Sequence, residues 1–274
     1  MCIRMLQTFI GKLKRKKPIV SRIQGLNNKV TYRVRGKDVG IKYISKKADF
    51  FIVGNNNTVI FSVEEFPSRD FCSGLSVEIT GNYNVIEIKE PRFLNSKISI
   101  SGDSNKFYLG KTTKSVNGAS FFIESGGIFV AEDNCELGNY MLHVVVNGGY
   151  NTHPKLFIGE GTHIAKDAII RTSDGECLLD YETGQPLSEP EDVYIGKHCW
   201  ITSRCTILKG AYLPDNTIVG ANSLVNKKFV EENTLIIGSP AKVKKTKVRW
   251  TEGPYDSVMK KLEKIKVKCN DKIS

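Results

Sequence analysis

The imidazole, thiol, carboxylate and indole side chains are the ones that could do chemistry here, and their spacing sorts them. The chain carries four histidines (His143, His153, His163 and His198), seven cysteines and two tryptophans. His163 directly precedes Ile164, and Trp200 directly precedes Ile201. In extended backbone, neighbouring side chains point to opposite faces, so an inward isoleucine turns the residue before it outward. An outward imidazole can exchange protons near neutral pH, and the bland alternative is a solvated histidine with no task. His143 and His153 flank Gly148-Gly149, where no period gives their direction, and His198 reads as a structural corner residue. The cysteines show no metal-ligand spacing, so no metal is expected; their odd number, with no export signal at the start, points to a reducing cytoplasm. Residues 171–192 are acidic, with Asp174, Asp180, Glu182 and Glu189. Asp174 either orients a base or bonds a ligand hydroxyl, or is a turn residue bonding its own backbone.

These side chains need a scaffold, and the repeat supplies one. Aliphatic residues recur every sixth position at Ile195, Ile201, Ile207, Leu213, Val219 and Val225, and in the same phase at Ile158, Ile164 and Ile170. Small residues follow four positions after most of them, at Thr162, Ala168, Cys199, Cys205, Ala211, Thr217 and Ser223. A helix returns its apolar stripe at 3.6 residues and a strand at two. A three-sided solenoid, with one strand and one corner per hexad, fits the period. The fold class is therefore all-β, a parallel β-helix, with Cys199 and Cys205 as small core residues rather than nucleophiles. If 171–192 is an excursion, His163 and Trp200 are outward neighbours on adjacent coils, about 4.8 Å apart. They would then flank a groove in which an imidazole could work as acid or base.

A second repeat runs through the first half: Ile23-x-Gly25-x-x-Asn28, Ile52-x-Gly54-x-x-Asn57, Ile79-x-Gly81-x-x-Asn84 and Ile100-x-Gly102-x-x-Asn105. Gly and Asn tolerate positive φ, so each copy reads as strand, tight corner, strand. An irregular β-helix continuing the stack fits this motif, and a separate β-sandwich is the competing reading. The expected organisation is a basic segment 1–20, irregular β-helix repeats 21–120, a hexapeptide-repeat domain 121–245 with loop 171–192, and a cap or tail 246–274. Within that tail, Val258, Leu262 and Ile265 fall at helical spacing, as a cap or as a solvated helix.

Lys and Arg number 40 against 29 Asp and Glu, a formal charge of +11. The excess lies at the ends, in KLKRKK (12–17) and after Pro240. No basic and aromatic alternation runs through the body, which argues against nucleic acid. The basic ends suit solvated tails or contact with an anionic membrane surface.

The hexads, Gly148-Gly149, IRTSDG (170–175), IGKHCWIT (195–202), TILKGAYLPDNTIVGANSLVNK (206–227) and IGSPAKV (237–243) together resemble the hexapeptide-repeat O-acetyltransferases of capsule and lipopolysaccharide biosynthesis. The resemblance covers roughly residues 120–250. It implies a left-handed β-helix, a homotrimer, and acetyl-coenzyme A in the groove between subunits, with a sugar or polysaccharide as acceptor. In such enzymes a histidine usually follows the SDG triplet as general base; here that position is Glu176. A carboxylate is the weaker base at neutral pH, so Glu176 is a replacement base or an ordinary loop residue. Trp200 matches a family tryptophan thought to line the substrate groove. By the same resemblance Ser203, Gly220 and Ala221 lie along the pantetheine arm, and Lys227, Lys242 or Lys244 near the phosphates. Three functions follow: O-acetyl transfer, N-acyl transfer to an aminosugar, or a β-helix that binds sugar without catalysis.

Overall fold

A computed structural model describes residues 22–40, 48–65, 72–90, 92–138, 141–149 and 152–270 of the chain. The basic segment 1–20 lies outside the described residues. One solenoid holds both repeats. Its first sheet runs through Arg22–Gln24, Asp49–Val53, Cys72–Thr80, Phe93–Ser101, Ser120–Glu124, His143–Asn147, Ile169–Arg171, Thr206–Ile207 and Leu224–Val225, each parallel to the next. The second runs through Lys29–Val34, Thr58–Val63, Val85–Lys89, Lys106–Leu109, Ile128–Ala131, Lys155–Ile158, Val193–Ile195 and Tyr212–Leu213. Among the described residues the third sheet begins only at Glu136–Leu137. It continues through His163–Ile164, Trp200–Ile201, Ile218–Val219 and Leu235–Gly238, and the antiparallel strand Ala241–Lys245 closes it. The repeats of the first half thus pair in parallel, as β-helix coils rather than the hairpins of a sandwich.

The glycine and asparagine motif makes the corner between the first and second sheets. Asn84 Nδ2 donates to Asn57 Oδ1 at 3.0 Å, and Asn105 Nδ2 donates to Asn84 Oδ1 at 2.9 Å, so the amides form a ladder up the stack. Asn57, Asn84 and Asn105 are wholly buried, and each unpaired amide there would cost about 1–3 kcal/mol. Glycine is required beside them: at Gly81, φ is +136° and a Cβ would lie 2.0 Å from the Gly102 carbonyl oxygen.

The interior changes along the axis. The first half, whose third side has no sheet among the described residues, is filled by rings, including Phe50, Phe61, Phe93, Phe107, Phe121 and Phe129. Further on, three short strands close each coil, and Ile195, Ile201, Ile207, Leu213, Val219 and Val225 are all fully buried. The small residues four positions later, Cys199 and Cys205 among them, are buried as well. Burial pushes the Cys199 thiol up to about 12, so it holds its proton at neutral pH.

Among the described residues, an excursion and a tail leave the coil. Residues 172–192 project from the corner between the first and second sheets, their base closed by the Glu191 N–H donating to Thr172 O at 2.9 Å. After the last strand, residues 246–254 cross back over the third sheet to a helix, Tyr255–Asn270, whose described side chains are mostly exposed. The helix is thus solvated along its described length. Among the described residues no helix is long and apolar enough to cross a membrane.

Candidate functional site on the third sheet

Register fixes the centre of the site. On the third sheet His163 pairs with Glu136 on one side and Trp200 on the other, so the three outward side chains stand on successive coils. Inward Leu137, Ile164 and Ile201 anchor the same strands in the core. His163 Nδ1 lies 3.4 Å from Glu136 Oε2. That carboxylate accepts from Lys114 Nζ at 2.7 Å, and Lys114 also reaches Glu252 at 3.3 Å.

Trp250, from the segment crossing the third sheet, covers this group. Its indole N–H donates to His198 O at 2.7 Å. Its ring stacks on His198 with centroids 4.5 Å apart, meets His163 at 4.7 Å and tilts towards Trp200 at 5.8 Å. The His163 side chain keeps only 16% exposure, whereas Trp200 keeps 40% and is open to a ligand. Burial lowers the His163 pKa below the ordinary imidazole value; Glu136 and Glu252 pull it upward, and Lys114 and His198 push it down. The net effect is an imidazole that stays neutral to lower pH than usual.

The residues singled out in the sequence fall into two groups. Beside His163 and Trp200, the corners at Ser203 and at Gly220-Ala221 stack between the third and first sheets, with the Asn222 N–H donating to Ser203 O at 3.2 Å. At Gly220 a Cβ would meet Ile237 Cγ1 at 2.7 Å, so any larger residue would have to displace the Ile237 side chain. Exposed Lys242 and Lys244 follow on Ala241–Lys245, the last strand of the third sheet. Asp174, Glu176 and Lys227 belong to the corner between the first and second sheets, which in a three-sided coil lies across the axis from the third sheet. Asp174 is pinned there by Lys209, and it accepts from Ser188 Oγ at 2.9 Å. The Lys209 ammonium holds the Asp174 carboxyl below its usual range. Glu176, two residues on, is exposed.

His143 and His153 lie elsewhere: His143 packs 5.2 Å from the Phe122 ring on the first sheet, and His153 is exposed. Among the described residues no group of three or more His, Cys, Asp and Glu side chains could hold a metal ion. Sequence reasoning missed Glu136, Lys114, Trp250 and Glu252. The one available signal was that Trp250 is one of only two tryptophans in the chain.

A parallel three-sided coil with a histidine, a tryptophan and a line of small corner residues on one side defines the class of hexapeptide-repeat acyltransferases. No protein-family model matches the chain. It is 30% identical over 196 residues to a polysialic acid O-acetyltransferase of Neisseria meningitidis, covering 65% of this chain and 91% of that protein. It is 29% identical over 123 residues, 43% of this chain and 60% of the relative, to a protein of Escherichia coli strain K12 named "Putative lipopolysaccharide biosynthesis O-acetyl transferase WbbJ". Its fold matches the crystal structure of the polySia-specific acetyltransferase NeuO with a TM-score of 0.59, at 19% identity, over 86% of this chain and 90% of that one. The chain therefore belongs to the hexapeptide-repeat O-acetyltransferases of capsule and lipopolysaccharide biosynthesis, and its coil is the left-handed β-helix of that family.

Proposed function

We propose that this acyltransferase moves the acetyl group of acetyl-coenzyme A to a hydroxyl of a bacterial surface polysaccharide or its sugar precursor, with His163 as the general base. O-acetyltransferases of this kind generally use acetyl-coenzyme A. The acceptor class follows from the relatives' names; the reaction is placed in the cytoplasm, where the basic ends suit contact with an acidic polymer or with the membrane's inner face.

The residues fit the cofactor. Coenzyme A supplies an acyl thioester whose long arm needs a straight, uncrowded track and whose phosphates need cations. The stacked corners at Ser203 and Gly220-Ala221 offer such a track, and Lys242 and Lys244 offer the cations. Trp200 walls the groove. His163 takes the proton of the acceptor hydroxyl as its oxygen attacks the thioester carbon; when the C–S bond breaks, the imidazolium returns that proton to the departing coenzyme A thiolate. The observation that carries this reading is the register pair of His163 and Trp200, and burial, which lowers the imidazole's pKa, acts in the same direction.

A second base is favoured by one feature, the position of Glu176 directly after Asp174 and Gly175. Asp174 is tied to Lys209 across the coil from Trp200, so Glu176 and Lys227 would serve a site only on a neighbouring copy. A homotrimer with sites between subunits accommodates that arrangement.

Thiol release from acetyl-coenzyme A separates the two bases. His163→Ala should lower turnover by about 10²–10⁴, the usual contribution of a general base, with Glu176→Ala staying within a few-fold of the parent. The reverse pattern moves the base to Glu176 of an adjacent copy, and full activity in both variants rules out either assignment. Calorimetry should find coenzyme A bound at micromolar affinity. No binding would favour a β-helix that holds sugar without catalysis, and transfer only to amines would make the acceptor an aminosugar.

A further inference from the structure

The tail that crosses the third sheet touches His163 directly through one residue and reaches the group beside it through another, neither of which the repeat calls for. Trp250 lays its indole against the imidazole at 4.7 Å and is itself held by its N–H bond to His198 O. Two residues later, Glu252 reaches Lys114 at 3.3 Å, and Lys114 grips Glu136, the carboxylate facing His163 Nδ1. One short strap therefore lies over the ring and also ties into the group beneath it.

We propose that Trp250 and Glu136 are positioning residues for His163: the strap shields the imidazole from water, and the Glu136 carboxylate draws the proton of the neutral ring to Nδ1, leaving Nε2 as the proton acceptor. The assignment of His163 as base is the reading on which this rests. At 3.4 Å the Nδ1 contact is longer than a hydrogen bond, but a negative oxygen there still favours the Nδ1–H tautomer over Nε2–H. The groups facing the ring are Glu136 on the preceding strand, Glu252 on the strap, Lys114 on the loop before Val116–Asn117 and His198 at the corner before Trp200. Their charges partly cancel, and burial, the largest influence on the ring, is what the Trp250 indole adds. Glu252 makes the cover mutual: the strap docks on the same carboxylate network that orients the ring. The likeness to the family's repeat motifs carries no such role, since Trp250 follows the last hexad and Glu136 begins the third sheet.

The proposal predicts opposite shifts for two substitutions. Titration of the His163 ring by NMR, with histidine labelled and the full chain intact, should give a midpoint below the ordinary imidazole value. Trp250→Ala should raise it as water reaches the ring, Trp250→Phe should raise it less, and Glu136→Gln should lower it as a negative neighbour is lost. Because only the neutral ring accepts a proton, the acid limb of kcat/KM should move with each midpoint. Each unit of rise removes about tenfold of the activity below it, so the Trp250→Ala loss is larger at pH 6 than at pH 8. Midpoints that stay put in both Trp250→Ala and Glu136→Gln would overturn the proposal. If they move as described while the acid limb does not, the strap's hold on His163 stands and His163 is not the base.

Discussion

Ile195 shows how strictly the hexad binds a single side chain. It is fully buried, it pairs with Leu213 on the next coil, and small Cys199 four positions on lets the chain turn beside it. Removing its branched end leaves a void that rigid coils above and below cannot fill. Ile195→Ala should lower the unfolding free energy by about 2–5 kcal/mol in a denaturant titration; a change under about 0.5 kcal/mol would mean the site is not core. Inward residues were legible from the period alone, because a hexad repeats the same environment on every coil. The outward places of His163 and Trp200 followed from the same phase. Glu136 and Trp250 were not legible, because the first precedes the stretch from Ile158 on in which the phase was read, and the second lies on a strap that obeys no period.

At the scale of the element, the corner ladder carries as much order as the core. The Asn84 amide accepts from Asn105 at backbone N and at Nδ2, each at 2.9 Å, while its own Nδ2 donates to Asn57 Oδ1 at 3.0 Å and Gly102 O at 2.9 Å. Asn84→Ala strands several of these buried partners at once. The expected loss is about 2 kcal/mol or more, measured by denaturation, with faster amide exchange at the neighbouring corners. Stability and exchange both unchanged would show that the ladder is incidental. The Gly and Asn motif announced this corner, since both residues tolerate the backbone it needs. It did not announce that the third side of the first half lacks a sheet among the described residues, because the returning segments share no motif. The acidic excursion was visible as a break in the hexads, but its anchoring by Lys209 was not: that lysine is 35 residues from Asp174 and meets it only through coil stacking.

Across the whole molecule, the division of labour follows the axis. The aromatic-filled first half stacks on the hexad half as one continuous first sheet from Arg22 to Val225, so the irregular coils are part of the same solenoid as the site. The third sheet, which among the described residues starts at Glu136–Leu137, is where His163 and Trp200 meet and where the proposed coenzyme track runs. The proposed active side thus falls in the regular half, and the excursion carrying Glu176 stands on the opposite corner. The measurement that tests this account most directly is thiol release from acetyl-coenzyme A with an acidic, O-deacetylated capsular polysaccharide as acceptor, for the parent chain and Trp200→Ala together. The account predicts acceptor-dependent release by the parent, falling about 10²-fold when the groove wall is removed. Equal release by the two proteins would contradict the assignment of the third sheet as the active side.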